Sequence, residues 1–95
     1  MVNDQDYVAI FHSIHRVLRA EQQLKHAGVE FLLIPVPRKL TADCGLALRV
    51  APPQLAALLA VLAAADLRPA ELYQLRAGAF VAADPAAAGT PAGTA

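Results

Sequence analysis

The sequence of 95 residues has no tryptophan, one cysteine and only five aromatic residues. A lone cysteine cannot form an internal disulfide bond, and free thiols are typical of chains that work in a reducing cytoplasm. The scarcity of aromatic side chains argues against the sheet of RNA-binding domains, on which bases stack. Eight basic and eight acidic residues give a net charge of zero, which argues against a nucleic-acid binder. We therefore expect a cytoplasmic protein without a nucleic-acid partner.

Long apolar runs are also missing, although the hydrophobic fraction is high. No run reaches the ~18 residues that a membrane-spanning helix needs, and residues 1–6 lack the basic and apolar parts of a signal peptide. The hydrophobic fraction is 57%, but 22 of the 95 residues are alanine, which buries little area. The sequence thus predicts no membrane association and a single small domain with a limited core.

The composition divides the chain into three parts. Residues 1–6 are polar and acidic, and we expect them to form a flexible N-terminus. Residues 77–95 are rich in alanine, glycine and proline, so they offer few large side chains to offset their ordering entropy. We expect this tail to be mostly disordered. Residues 7–76 lie between these segments and are predicted to form the single folded domain.

The apolar pattern within this domain predicts six elements in the order β-α-β-β-α-β. Strands are indicated near residues 7–11, 29–36, 46–50 and 71–76 by β-branched, aromatic or alternating apolar residues. The first helix should begin after Ser13 as N-cap and end at Gly28 in a left-handed conformation. The second should begin at a proline pair and bury a stripe of leucines: Leu55, Leu58, Leu59 and Leu62.

This order of elements is typical of a ferredoxin-like α+β sandwich. Such a fold has a four-stranded antiparallel sheet, with both helices on one face and the first and third strands in the middle. The start of the third strand then lies beside the end of the first. We therefore expect Cys44 and Gly45 to lie near His12 and Ser13, at the amino end of the first helix.

The chemistry expected at this end of the sheet is that of a reactive thiol. The amino end of a helix carries a partial positive charge, which favours the thiolate form of cysteine. Arg38 and Lys39 add positive charge, and Gly45 would let a ligand or partner approach the backbone. Asp43 opposes these effects because its charge would raise the pKa of the Cys44 thiol. We expect the lowering effects to prevail.

Several short segments of the chain resemble a known family of small bacterial proteins. They are Phe11-His12-Ser13, Ala20-Glu21, Ala27-Gly28, Pro35-Val36-Pro37-Arg38 and Cys44-Gly45-Leu46-Ala47-Leu48. Together they are similar to the selenium or sulfur carrier-like proteins, and the resemblance extends over roughly residues 7–76. That family has small hydroxylated residues before the cysteine. Thr41 keeps this character, whereas Ala42 and Asp43 depart from it.

The resemblance implies a carrier of sulfur or selenium that uses Cys44 as its thiol. Gly45, His12, Ser13 and Arg38 would support that thiol. The partners would be proteins that donate and accept the sulfur or selenium atom, and no cofactor would be needed. Since a carrier needs no further catalytic machinery, we expect a carrier or a binding module in preference to an enzyme.

A second interpretation of the same residues treats Cys44 as structural, because free cysteines are among the most buried residues. The protein would then be a non-catalytic interaction or ligand-sensing module that forms homo-oligomers. A homodimer could form through the sheet face that the helices leave open. A metal site built from His12, His15 and Cys44 is disfavoured, because His12 is expected at a strand end and there is no second cysteine. We predict no metal site.

Overall fold

A computed structural model describes residues 2–40 and 45–85 of the chain. Within these residues the protein is an α+β domain with two helices and one antiparallel sheet. The strands are Tyr7–Ile10 (β1), Leu32–Pro35 (β2), Leu46–Val50 (β3), Glu71–Arg76 (β4) and Ala79–Ala83 (β5), and the helices are Ile14–Ala27 (α1) and Pro52–Ala64 (α2). The strands lie in the order β2-β3-β1-β4-β5, with every neighbouring pair antiparallel.

The prediction of a four-stranded sheet is wrong, because β5 adds a fifth strand at the edge. This strand lies within residues 77–95, the segment predicted to be a mostly disordered tail. It pairs with β4 over its whole length, from Arg76 opposite Ala79 to Leu72 opposite Ala83. The strand is rich in alanine, but it gains backbone hydrogen bonds from β4, and Phe80 packs against the core.

A tight turn makes this fifth strand possible. Ala77 and Gly78 have φ angles of 51° and 84°, which are typical of a two-residue hairpin turn of type I′. The backbone N–H of Ala77 donates to Asp4 Oδ1 at 2.8 Å. Residues 2–6, predicted to be a flexible N-terminus, thus contact the hairpin. Nearby, the Gln5 N–H donates to the Leu75 carbonyl at 2.6 Å.

The main core lies between the helices and one face of the sheet. The predicted leucine stripe of α2 is confirmed, since all four of its leucines are buried. They pack with three buried residues of α1, with side chains of the three strands in the middle of the sheet, and with Phe11, which directly follows β1. The residues of α1 and of the strands are Val17, Ala20, Leu24, Ala9, Leu48, Val50 and Leu72. Both helices therefore cover the same face of the sheet.

The opposite face of the sheet carries a second, smaller core. Its centre is formed by Val8, Ile10, Ile34 and Ala47, each with at most 2% of its surface exposed. These side chains are covered by partly buried residues from the N-terminus, the loop after β2 and the β4–β5 hairpin: Val2, Val36, Leu40, Tyr73 and Phe80. The face that was expected to be open is therefore covered at its centre by the chain itself.

Residues 36–40, which we call the crossing segment, provide part of this cover. The segment leaves β2 at one edge of the sheet, and Lys39 Nζ donates to the Gly78 carbonyl at 3.0 Å, in the turn at the opposite edge. A turn closed by the Leu40 N–H and the Pro37 carbonyl, at 3.0 Å, directs the chain back. The crossing segment is thus fixed across the face of the sheet.

Each helix is followed by a residue in the left-handed conformation, which is a glycine after α1 and an aspartate after α2. The Ser13 cap of α1 is confirmed, because Ser13 Oγ accepts from the Arg16 N–H at 3.2 Å. At the other end, Gly28 takes the predicted left-handed conformation with φ 74°. The corresponding residue after α2 is Asp66, with φ 58°. Its N–H donates to the Ala63 carbonyl, at 3.1 Å, as the Gly28 N–H does to Lys25.

Replacing Asp66 with glycine should stabilise the protein by about 0.5 kcal/mol, because glycine enters the left-handed region without steric cost. Arg16 Nη2 donates to the backbone carbonyl of Asp66 at 2.9 Å, and the substitution leaves that carbonyl in place. Urea unfolding measures the change. The control is Gly28→Ala at the equivalent position of α1, which should destabilise by about 1 kcal/mol. A less stable Asp66→Gly variant would contradict this account.

Candidate functional site

The candidate site lies at the end of the sheet where β1 finishes and β3 begins. Ile10 is paired with Ala47, and the two strands are antiparallel. This pairing confirms the prediction that the third strand begins beside the end of the first. His12 and Ser13 follow Ile10 along the chain, and Gly45 precedes Ala47. The described residues of the predicted site, Arg38 apart, therefore belong to the same end of the sheet.

Cys44 itself, together with Thr41, Ala42 and Asp43, lies outside the described residues. Its distance from the amino end of α1 therefore stays a prediction. The chain on either side of these four residues is well anchored. Leu40 packs on the second core. Gly45 extends the β2–β3 ladder, since its carbonyl accepts from the Val36 N–H at 3.0 Å.

The amino end of α1 has the electrostatic character that the sequence predicts. The first turn contains no acidic residue, so no carboxylate of that turn offsets the partial positive charge of the helix end. His12 and His15 are both exposed, and Ser13 is partly buried as the cap. This end of the helix therefore favours a negatively charged group.

The two cations of the crossing segment have different surroundings. Arg38 is exposed, and within the described part of the chain it makes no hydrogen bond or ion pair. Lys39, in contrast, is held at the β4–β5 turn by its bond to Gly78. Sequence reasoning did not find this structural role, because the acceptor is a backbone carbonyl whose position depends on the unpredicted hairpin.

Gly45 is exposed, and nothing among its described neighbours requires a glycine there. Its φ angle lies outside the left-handed region, and a Cβ built on it would meet no atom within 4 Å. The fold would therefore accept a larger residue at this position. Among the described residues, apart from its chain neighbour, no atom lies within 4 Å of the position that a side chain would take at Gly45.

Sequence reasoning also missed a polar pair on β4. Tyr73 Oη donates to Glu71 Oε1 at 2.6 Å, and Glu71 lies opposite Ile10 at the site's end of the sheet. The hydrogen bond to Glu71 raises the pKa of the Tyr73 hydroxyl, with further contributions from burial and from the charge of Glu71. Tyr73 therefore keeps its proton to a higher pH than an ordinary tyrosine. The only signal in the sequence is their spacing of two along a strand, which places both on one face.

Among the described residues, no group of three or more histidine, aspartate or glutamate side chains could hold a metal ion. In the same part of the chain, neither helix is long and apolar enough to cross a membrane.

These observations define a small α+β domain whose one cysteine belongs, in sequence, to the connection between β2 and β3. Residues 6–74 match the family described as putative Se/S carrier protein-like. The chain belongs to this family. The matched region extends from the residue before β1 into β4 and includes the loop with Cys44. Neither the curated proteins nor the solved structures contain a significant match.

Proposed function

We propose that this protein carries sulfur or selenium as a single atom bound to the Cys44 thiol. The observation that carries the proposal is the family match, because it covers residues 6–74 and so includes the Cys44-Gly45 motif. The position of this motif supports it further. Gly45 belongs to the end of the sheet where α1 begins, and a helix amino end favours the thiolate that such a carrier needs.

The transfer can be written with all atoms and charges balanced. The Cys44 thiolate attacks the outer sulfur of a donor persulfide, R–S–SH. The bond between the two donor sulfurs breaks, a new bond forms between Cys44 Sγ and the outer sulfur, and the donor leaves as the thiolate R–S⁻. An acceptor nucleophile then takes the outer sulfur and releases the Cys44 thiolate. Selenium follows the same steps when the outer atom is selenium.

The supporting residues have separate roles in this proposal. Ser13 caps α1 and so fixes the helix end that faces this part of the sheet. Arg38, in the connection that contains Cys44, contributes positive charge, which stabilises a thiolate and its persulfide anion. His12 adjoins the amino end of α1. Gly45 leaves the open space that a second protein needs in order to bring its sulfur close.

Donor and acceptor proteins must be able to reach this end of the sheet. Two large apolar side chains on the first two turns of α1, Ile14 and Leu18, are 41% and 40% exposed. His15 and Arg19 lie beside them on the same helix, and both are exposed. An apolar patch beside basic groups supports docking of a partner whose contact surface is apolar with an acidic rim.

The test is to load the full chain with glutathione persulfide and to measure its intact mass. We expect a gain equal to one sulfur atom, removable by a reducing agent, because the chain has a single thiol. Cys44→Ser should show no gain. Gly45→Ala should keep the stability of the parent and lose transfer to a bulky protein acceptor. A parent chain that gains no sulfur, or a Cys44→Ser variant that does, would overturn the proposal.

The rate of alkylation by iodoacetamide as a function of pH gives the pKa of the thiol. We expect a pKa below the ordinary thiol value for the parent, and a further fall for Asp43→Ser, because that change removes a neighbouring negative charge. A thiol that reacts only after denaturation would instead support a structural cysteine. In that case the second interpretation, a homo-oligomerising or ligand-sensing module, would become the better one.

A further inference from the structure

A pocket of about 450 Å³ lies on the face of the sheet opposite the helices. It is bordered by the crossing segment, the N-terminus and the β4–β5 hairpin. Its apolar lining residues are Val2, Pro35, Val36, Pro37, Leu75 and Phe80. Its volume falls within the range of ~300–1,000 Å³ that small-molecule sites occupy. The carrier function proposed above makes no use of this pocket.

The lining is mostly apolar but includes one charged side chain, and this combination indicates the kind of ligand that would bind. Lys39 is the one charged residue among the described residues that line the pocket. Its ammonium group has three N–H donors, and one of them is used by the Gly78 carbonyl. Among the residues that the structure describes, no other group accepts from this ammonium, which lies at the edge of an apolar cavity.

A carboxylate group would complement Lys39, and a hydrocarbon body would complement the rest of the lining. An uncharged apolar molecule would offer the ammonium no charged partner, and a dianion would place a second charge against apolar walls, which is costly. We infer that the pocket binds a small apolar monocarboxylate. Its hydrocarbon part lies against Leu75 and Phe80, and its carboxylate lies beside Lys39 Nζ.

Ligand binding should also stabilise the crossing segment, because three of its residues line the pocket. The crossing segment borders the pocket, and Leu40 at its end is followed in the chain by residues 41–44. A ligand that contacts Pro37 and Lys39 stabilises the arrangement of this segment across the sheet. Bound carboxylate should therefore protect the segment against cleavage by proteases.

The experiment uses decanoate, below its micelle concentration, added to the full ¹⁵N-labelled chain and followed by NMR. We expect saturable shifts of the amides of Val36, Leu75 and Phe80. Decanol, which has the same chain without the charge, should bind about fivefold more weakly, the effect of one partly exposed ion pair. Lys39→Met should weaken decanoate binding by a similar factor, and Lys39→Arg should restore it.

The chain offers a matched control, because Lys25 is its only other lysine. Lys25 lies on α1, on the helix-covered side of the sheet, so Lys25→Met should leave decanoate binding unchanged. The inference is overturned if decanoate shows no saturable binding, or if the shifted amides lie on α1 or α2. Equal affinities of the parent and Lys39→Met would also overturn it. The same holds if sedimentation shows that Phe80→Ser dissociates a dimer, because a second copy would then occupy the pocket.

Discussion

Replacing Leu62 with alanine is expected to lower the free energy of unfolding by about 2–5 kcal/mol. Leu62 is fully buried in the main core, where α2 packs on the sheet. The substitution removes buried apolar surface and leaves a cavity that neighbouring side chains fill only in part. In a small domain with little stability in reserve, a loss of this size brings the protein close to unfolding at physiological temperature. Urea denaturation monitored by circular dichroism measures the change.

The same substitution at an exposed position provides the control. Leu32 on the edge strand β2 is 46% exposed, so Leu32→Ala should change the stability by no more than about 0.5 kcal/mol. If Leu62→Ala and Leu32→Ala have equal stabilities, the leucine stripe of α2 does not form the core described above.

Replacing Asp6 with alanine is expected to destabilise the protein by about 3 kcal/mol. The carboxylate is 7% exposed and lies 3.2 Å from Arg49 Nη1. It also accepts from the backbone N–H of Asn3 at 3.0 Å. Without Asp6, this N–H loses its acceptor and the partly buried guanidinium loses its ion pair with Asp6. Both lost contacts are made by the N-terminal segment, whose Val2 packs against the second core.

A double-mutant cycle separates the ion pair from other effects of the substitution. Arg49→Met keeps much of the apolar stem of the side chain and removes its charge. If the pair acts as described, the double variant is less destabilised than the sum of the two single variants. Additive effects of Asp6→Ala and Arg49→Met would contradict a direct contribution from the pair.

The parts of the fold that follow from local rules could be predicted from the sequence. The spacing of the leucines predicted α2, and Ser13 and Gly28 predicted where α1 begins and ends. The alternation at Leu46, Leu48 and Val50 placed β3 and its buried face. The order of these elements and their short connections predicted that β1 pairs with β3. This pairing in turn predicted the end of the sheet to which the candidate site belongs.

The parts that depend on distant partners could not be predicted. β5 has little apolar surface of its own, and its formation depends on hydrogen bonds with β4 and on the turn at Ala77 and Gly78. Asp6 looked like one acidic residue of a polar terminus, because its partner Arg49 is far away in sequence. The covered sheet face was missed for the same reason: its cover comes from three separate segments of the chain.

The sequence predicted which end of the sheet the described candidate residues share, but not the interactions that those residues and their neighbours make. Topology and the family resemblance together pointed to His12, Ser13 and Gly45 at one end of the sheet. The tether from Lys39 to Gly78 and the Tyr73–Glu71 pair had no usable signal, since each depends on how the strands align in three dimensions.

The hydrogen bond between the Val36 N–H and the Gly45 carbonyl has a consequence for how the protein can change. This bond joins the residue before the loop to the residue after it, so residues 37–44 connect two backbone positions that the β2–β3 pairing holds together. The entropy of closing such a loop rises only slowly with its length, by about 0.6 kcal/mol for each doubling. Substitutions and insertions around Cys44 can therefore alter the chemistry of the loop at little cost to the sheet.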